Sequence, residues 1–328
     1  MNEAQLAAVV DAVVKELLAA GAVAPRPAAA SLASLPSVDA TPLTPMAMPA
    51  RGPVASTAVK PVPPSAAQDL VIDLPDPATS EARYAPGVKQ PKDPEGLQAL
   101  VAATTARIGV GRAGPRYTTR ALLLFQADHA VTQDALYRAV DQRLLDELGL
   151  FTVQTKVTGG KQEYLLRPDL GRQLSDAAKR LITEKCTRGP DIQVVVGDGL
   201  SAAAIEANLR QMLPVIRQGA QAAGLTLGTP FFVEFCRVGV MNDIGDLLQP
   251  QVLILLIGER PGLGRAESMS AYMAYRPKPG DTDADRDVIC NIFEGGGTNP
   301  LEAGAYAIQL AQKMRRSQAS GVKLKLAS

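Results

Sequence analysis

The chain has 328 residues, enough for roughly two domains and a sizeable core, and its 34 basic residues nearly balance 33 acidic ones. The formal charge of +1 at pH 7 gives no strong field for nucleic acid or an anionic membrane surface. Tryptophan is absent and aromatic residues make up only 4%, so the stacking platforms of single-strand binding proteins are missing as well. No apolar run approaches the roughly 18 residues that a membrane helix requires. We therefore expect neither nucleic acid nor a membrane as a partner.

Cysteine and histidine usage indicates a reduced chain without a transition-metal site. Cys186, Cys236 and Cys290 lie far apart and form no C-x-x-C pair, which is typical of a cytosolic chain rather than a disulfide scaffold. The single histidine, His129, leaves no His/Cys cluster for a metal ion. The N-terminal stretch contains Glu3 and lacks a basic segment, so it does not read as a secretory signal. We expect a cytoplasmic protein in which any metal arrives inside a cofactor.

Residues 1–21 are predicted to form an amphipathic helix. Apolar residues from Leu6 to Leu18 recur at helical spacing, and Gly21 ends the pattern. Residues 22–94 are rich in Ala and Pro, a composition typical of an extended, disordered linker. Because a helix on such a tether has no neighbour in the chain to cover its apolar face, we interpret it as a docking peptide for another protein. A frayed or self-associated helix is the alternative.

Residues 95–148 are predicted to form a small helical domain. Helical spacing lies on both sides of the glycine-rich loop 109–116. Arg112 and Arg116 in this loop are suitable phosphate contacts at a helix start, although solvated arginines are the more ordinary interpretation. His129 lies on an apolar helix, where a structural histidine is more common than a lone ligand.

Residues 149–328 are predicted to form an α/β domain with a Rossmann-like, doubly wound and mostly parallel sheet. Apolar or β-branched runs alternate here with helical patterns, as in chains whose parallel strands are joined by crossover helices. The expected strands cover 192–196, 231–240, 252–257 and 270–275, and the expected helices cover 170–184, 201–217, 242–248 and 300–319.

Local signals add detail to this domain. Segments 151–157 and 162–166 flank Gly159–Gly160, a pattern that predicts a β-hairpin. Asp169, Ser201 and Asn242 are the predicted N-caps of the helices that follow them, because their side chains can accept from free backbone N–H groups.

The loop 258–264, GERPGLG, is the leading candidate for a ligand site. It follows the most apolar predicted strand, and open α/β sheets bind ligands at the carboxyl ends of their strands. Its glycines permit close backbone approach, and Glu259 and Arg260 supply polar groups. The spacing matches neither a Walker loop nor the G-x-G-x-x-G fingerprint. A turn without a ligand, or the nucleotide site of a stand-alone α/β enzyme, remains an alternative.

The predicted topology brings other strand ends to the same side. Asp198 and Ser201 follow one strand, and Arg237 and Val238 follow another. With no lysine beside the glycines, this face suits a large neutral or zwitterionic ligand better than a triphosphate. No nucleophile, base and orienting group occur together, so the chain is poorly equipped to be an enzyme by itself.

Eight segments of the chain, running in order from about residue 95 to the C-terminus, occur together in one known family. The chain closely resembles the small (light) subunit of ethanolamine ammonia-lyase, and the most specific of these segments is the glycine loop after its apolar strand. The segments are GRAGPR (111–116), ADH (127–129), RPDLGR (167–172), VVVGDGLS (194–201), GTPFFV (228–233), ILLIGERPGLG (254–264), AYMAYRP (271–277) and CNIFEGGG (290–297).

This resemblance implies half of an enzyme. In the family a large subunit, a TIM barrel, binds ethanolamine, and the small subunit covers the adenosylcobalamin held between the two. Homolysis of the cobalt–carbon bond starts a radical reaction that yields acetaldehyde and ammonia. The chain is therefore expected to form a hetero-oligomer with the large subunit, to be inactive alone and to contribute no catalytic residue.

The resemblance also implies the cofactor-binding residues. Val238 and Glu259 match the family's corrin-contacting positions. A cysteine that makes a third contact in a relative aligns with Val288, and Cys290 follows two residues later, so either residue is a candidate. Arg237 completes the set, since a corrin with its amides and one phosphate suits a carboxylate and a few arginines. For Glu259, an ion pair with Arg260 or Arg265 is the competing interpretation.

The mode of cobalt ligation follows from a missing motif. Other B12 proteins donate histidine to cobalt through Asp-x-His-x-x-Gly, whereas here His129 is followed at the third position by Thr132. We therefore expect the cofactor to keep its own benzimidazole on cobalt. Relatives are associated with the ethanolamine-utilisation microcompartment, and residues 1–21 resemble encapsulation peptides. Localisation would then be cytoplasmic, or in a microcompartment where the host builds one, with shell proteins as further partners.

Overall fold

The computed structural model describes residues 79–104, 106–262 and 265–327. The predicted helix at 1–21 and most of the predicted linker at 22–94 lie outside these ranges, and the predicted domain boundaries stay predictions. In the first part of the described chain, short helices and a two-stranded ribbon precede one long helix. These elements are α1 (Ser80–Tyr84), α2 (Pro94–Ala102), β1 (Arg112–Ala113), β2 (Arg116–Tyr117), α3 (Thr119–Tyr137) and α4 (Gln142–Glu147).

Side-chain caps fix where the helices of this part begin. The Asp93 carboxylate accepts from the backbone N–H of Gly96, and the Thr118 hydroxyl accepts from that of Ala121. Helical spacing predicted two segments that meet between residues 131 and 132, but α3 runs through this point. The hydroxyl of Thr132 donates back to the Asp128 carbonyl, a bond compatible with continued helix, and no glycine or proline interrupts the turn.

A six-stranded sheet with the order β3-β5-β4-β6-β7-β8 organises the rest of the chain. The strands β3, β5, β4 and β6 are parallel to one another. β7 pairs antiparallel with β6, and β8 pairs antiparallel with β7. The prediction of an α/β fold with a mostly parallel sheet is confirmed, and its Rossmann-like detail stays a prediction. The strands are β3 (Phe151–Gln154), β4 (Ile192–Gly197), β5 (Phe231–Glu234), β6 (Val252–Gly258), β7 (Met269–Tyr275) and β8 (Asp287–Ile292).

Helices pack against both faces of this sheet. One core contains α7 and α9, and the other contains α6 and α8. Because β6 lies between the two cores, every one of its residues is buried, which explains its uninterrupted apolar sequence. The helices are α5 (Gly160–Leu166), α6 (Asp176–Lys185), α7 (Ala202–Ala222), α8 (Val240–Leu248), α9 (Pro300–Ser317) and α10 (Val322–Leu326), with 3₁₀ turns at Leu170–Arg172 and Asp283–Asp285.

The predicted hairpin across Gly159–Gly160 is wrong, because the second predicted strand is the helix α5. The Glu163 carboxylate accepts from the backbone N–H groups of Thr158 and Gly159, at 2.8 and 2.7 Å, and so satisfies the start of the helix. The Tyr164 ring is fully buried, and its hydroxyl donates to the Cys236 carbonyl at 2.7 Å. The Glu163 contacts are local, but the Tyr164 contact depends on a residue distant in sequence, which the pattern of two glycines does not reveal.

Two predicted caps are also wrong. Asp169 precedes only a 3₁₀ turn, and Ser175 caps α6 by accepting from the Ala178 N–H. Gly239 is the N-cap of α8, so that Asn242 lies within this helix. The predicted strand 231–240 ends at Glu234, while Ser201 caps α7 as predicted. The edge strand β8 was missed because its apolar run, Val288 to Cys290, is only three residues long and half-exposed.

Gly258 and Gly262, both in the loop 258–264, should tolerate substitution differently. A Cβ at Gly258 would overlap the backbone oxygens of Ser201 and Asp198, the latter at 2.6 Å, whereas one at Gly262 would approach only the Arg265 oxygen, at 3.9 Å. We expect Gly258→Ala to lower the free energy of unfolding by about 1–3 kcal/mol, since the backbone has to shift. Urea unfolding compares it with Gly262→Ala, and equal losses in the two variants would contradict the packing constraint.

Candidate ligand face at the carboxyl edge of the sheet

The carboxyl ends of the parallel strands and two ends of the antiparallel strands meet at one edge of the sheet. Gly258, the last residue of β6, lies opposite Met269, the first residue of β7, and Met269 lies opposite Ile292 at the end of β8. Glu259 therefore emerges beside the start of β7 and the end of β8. This register creates the surroundings of Glu259, and the linear sequence does not display it.

The Glu259 carboxylate is held by three donors. Its Oε2 accepts from the Ser268 hydroxyl, and its Oε1 accepts from the Ser270 hydroxyl and from the backbone N–H of Asn291, the last at 2.9 Å. A carboxylate offers about four acceptor positions, so one position on Oε2 remains for another donor. The side chain is half-buried and fixed in place before any ligand arrives.

The competing interpretation for Glu259, an ion pair with a nearby arginine, is not what the structure shows. Among the described residues, neither Arg260 nor Arg265 forms an ion pair with it. The Arg265 guanidinium instead lies 4.8 Å from the Phe293 ring centre and donates to the Tyr84 hydroxyl at 3.4 Å. The negative charge of Glu259 is therefore stabilised by neutral donors alone within this part of the chain.

Side chains of β7 and β8 form an exposed surface next to Glu259. Tyr272 lies directly opposite Val288 in the register of these strands, and Ser270 and Tyr272 project to the face on which α8 packs. The core beneath α8 stops at Tyr272, and beyond it Val288 is 47% exposed and Cys290 is exposed. We call the surface formed by Val238, Glu259, Tyr272, Val288 and Cys290 the open face.

Electrostatics and a shared cleft place the members of the open face together. Burial raises the pKa of the Tyr272 phenol, and negative charge on Asp283, Glu259 and Cys290 acts in the same direction, so these groups lie near its hydroxyl. Val238 and Tyr272 also line one cleft of about 640 Å³. Four of the predicted site residues, Val238, Glu259, Val288 and Cys290, thus surround a tyrosine that sequence analysis missed.

Arg237, the fifth predicted site residue, lies between the cleft and a buried charge cluster. Its guanidinium lies 4.2 Å from the Tyr164 ring centre and donates to the Tyr164 carbonyl at 3.2 Å. Behind it, Lys161 lies 3.6 Å from the Asp198 carboxylate. Burial lowers the pKa of the Lys161 ammonium and raises that of the Asp198 carboxyl, and each partner's charge opposes the shift of the other.

Two residues expected on the ligand side are structural. Asp198 is 8% exposed and accepts from the Cys236 N–H at 2.8 Å, which ties the end of β4 to the end of β5. Ser201 is fully buried, and its hydroxyl donates to the Ala266 carbonyl. Both therefore support the edge from beneath and do not line its surface.

The described residues contain neither a metal-binding cluster nor a membrane-spanning helix. Within residues 79–327, leaving out 105 and 263–264, no group of three or more His, Cys, Asp or Glu side chains is arranged to hold a metal ion. The helices found in the same ranges include none with the length and apolar character needed to cross a membrane.

The described residues define an α/β protein with a partly open, mixed apolar and polar face at the carboxyl edge of its sheet. Residues 94–325 match the family model described as "Ethanolamine ammonia-lyase light chain (EutC)", and the chain belongs to this family. It is 48% identical over 238 residues to the ethanolamine ammonia-lyase small subunit of Listeria monocytogenes, covering 73% of this chain and 80% of the relative. Over the same shares, the small subunits of Clostridium perfringens and Clostridioides difficile are 47% identical.

The three cysteines should differ sharply in reactivity. Cys290 is exposed, whereas Cys236 is fully buried and burial raises the pKa of the Cys186 thiol to about 11. At pH 8 only about one Cys186 thiol in a thousand is ionised, and the thiolate is the reactive form. We expect one thiol of the native chain to react quickly with an aromatic disulfide reagent and all three to react in denaturant. Cys290→Ser should abolish the fast phase, and a second fast thiol would contradict this assignment.

Proposed function

We propose that this chain is the small subunit of an adenosylcobalamin-dependent ethanolamine ammonia-lyase and that its open face encloses the cofactor against a large subunit. The observation that carries the proposal is the fixed Glu259 carboxylate beside Val238, Val288 and Cys290. Positions distant in sequence, which the family resemblance associates with the corrin, converge on one surface. The names of the relatives, as small subunits, support a hetero-oligomer with a large subunit.

The open face has the chemistry that a corrin requires. A corrin is broad and carries neutral amides at its rim, so it needs an extended apolar contact together with acceptors for amide N–H groups. Val238, Tyr272 and Val288 offer apolar contact area, and the free acceptor position of Glu259 suits an amide N–H. Because Glu259 is already fixed by three donors, little side-chain freedom is lost when an amide binds.

The third corrin contact involves both candidates on β8. Val288 and Cys290 are two residues apart on one strand and both are exposed, so their side chains project to the same side. Val288 then supplies the side chain at the aligned position, and the Cys290 thiol lies one step further along the strand. A cofactor that covers one of them also approaches the other.

The reaction divides between the cofactor and two chains. Adenosylcobalamin, when bound, would supply the radical chemistry, and the substrate residues would belong to the large subunit. The residues of this chain orient the corrin: Glu259 accepts from an amide, Arg237 lies at the rim, and the apolar side chains exclude water. In this arrangement residues 149–328 are the cofactor-contacting domain, and 95–148 are a helical domain that precedes it.

Reconstitution tests the assignment. We expect ethanolamine to be converted to acetaldehyde and ammonia only when this chain, the large subunit and adenosylcobalamin are combined, with no activity from this chain alone. Glu259→Ala should weaken cyanocobalamin binding to the two-subunit complex by about 1–3 kcal/mol, because it removes a partly buried acceptor.

Glu147→Ala is the matched control for this test, since its carboxylate pairs with Arg210 in an exposed ion pair away from the open face. Far-UV circular dichroism and thermal melting establish that both variants fold. Activity without the large subunit, or cofactor affinity that is unchanged in Glu259→Ala, would sink the proposal.

We further propose that residues 1–21 direct the enzyme to a microcompartment shell in hosts that build one. Support comes from the amphipathic sequence and its Ala/Pro-rich tether, both outside the described residues. Deletion of residues 1–21 should abolish co-purification with shell proteins and leave the activity of the two-subunit complex unchanged. Equal partitioning of the full-length and truncated chains into the shell fraction would reject this role.

A further inference from the structure

A cleft next to the open face has features of a second binding site. Its volume is about 640 Å³, and it lies between the turn that starts α8 and the segment 279–286. Val238 and Tyr272 belong to both surfaces, so a ligand that covers the open face also reaches the mouth of the cleft. The proposed function assigns no role to this cleft.

Two arginines that line the cleft each have a buried Nε donor without an acceptor among the described residues. Arg286 has a side chain that is only 5% exposed, and its terminal nitrogens donate to Asp283 at 2.6 Å and to the Asn242 amide oxygen at 2.8 Å. Its Nε is buried and has no hydrogen-bond partner among the described residues, and the same holds for the Nε of Arg237. Buried donors of this kind are costly unless a ligand or water supplies an oxygen.

The charge of the cleft indicates which ligand would supply that oxygen. Its arginines and aspartates are equal in number, so the lining carries no net charge and does not favour a phosphate over a neutral group. A carboxamide fits better, because its oxygen accepts from a guanidinium while its nitrogen donates to a carboxylate. The charged lining residues are Arg172, Arg237, Arg286, Asp243, Asp281 and Asp283.

We propose that this cleft binds carboxamide side arms of the corrin, with Arg286 and Arg237 donating to amide oxygens and the aspartates accepting from amide nitrogens. Tyr272 forms the wall between the corrin ring on the open face and the arms in the cleft. This inference rests on the proposed function and extends it from the ring to its periphery. A carboxamide of the large subunit offers the same chemistry, and the experiment has to distinguish the two sources.

The test compares cyanocobalamin with analogues in which a single side-arm amide is a carboxylate, using equilibrium binding to the two-subunit complex. We expect Arg286→Met to weaken cyanocobalamin binding about tenfold, since a buried charge-assisted donor is lost. For the side arm that enters the cleft, we take the ratio of the Kd of the carboxylate analogue to the Kd of cyanocobalamin. This ratio should fall at least about threefold in Asp283→Asn, because the Asp283 carboxylate that repels the carboxylate arm is removed. In Arg286→Met the same ratio should rise.

Arg315→Met is the matched control, because Arg315 is partly buried in an ion pair with Asp191 at the opposite edge of the sheet. It should leave every ratio unchanged. Asp283 has a side chain that is 88% exposed, so Asp283→Asn keeps the test decisive even if Arg286→Met fails to fold.

Three results would overturn the inference. Ratios that are identical in wild type, Arg286→Met and Asp283→Asn would show that no arm enters the cleft. Weaker association of the two subunits without any change in the ratios would assign the cleft to a carboxamide of the large subunit. A wild-type complex that does not bind cyanocobalamin at all would remove the proposed function together with the cleft, whereas failure of the ratios alone leaves that function intact.

Discussion

The hydrogen bonds of one carboxylate join three strand ends and define the functional edge of this protein. Glu259 leaves β6 and accepts from Ser268 and Ser270 around the start of β7 and from Asn291 at the end of β8. Two antiparallel strands are thereby held to the carboxyl edge of a parallel sheet. Because the three donors occupy three of about four acceptor positions on the carboxylate, one position stays available to a ligand. The same group therefore serves both the fold and the proposed cofactor contact.

The change from parallel to antiparallel pairing explains why a surface is left open here. Crossover helices cover the faces of parallel strands, but the connections from β6 to β7 and from β7 to β8 add no long helix. The sheet therefore extends beyond α8, and Val288 and Cys290 remain exposed. The cleft forms where the segment 279–286 folds back towards α8, so the surfaces proposed to bind the ring and its arms share one origin.

Sequence reasoning succeeded where short-range chemistry decides the structure. The buried strand at 252–258 and the Ser201 cap follow from an apolar run and from a hydroxyl near free N–H groups. It failed at the hairpin because the local cap from Glu163 and the tertiary contact of Tyr164 stabilise a helix there. It failed at β8 because pairing with β7 overrides local preference.

The residues of the candidate site were also predicted only in part from the sequence. The family resemblance identified Val238 and Glu259 individually, but the surroundings of Glu259 depend on the register of β6, β7 and β8 and on a bulge near Ala271. Tyr272 gave no signal beyond an alternating strand, and the Nε groups without acceptors become visible only when burial is known. Composition and motif therefore indicated individual candidate residues, while the arrangement of the side chains required three-dimensional structure.

The backbone of Asn291 also influences how the free subunit behaves in solution. Its φ of 62° is left-handed, a conformation that asparagine adopts more readily than most residues, and this left-handed turn lies where the pairing of β8 with β7 shifts register before Ile292. An outer strand that continued straight would present a long row of unpaired amides to which another molecule could add by edge-to-edge association. The turn, together with the bulge in the pairing with β7, keeps that row short. A chain that exposes Val288 and Cys290 on its edge strand is thus protected against sheet-extending polymerisation.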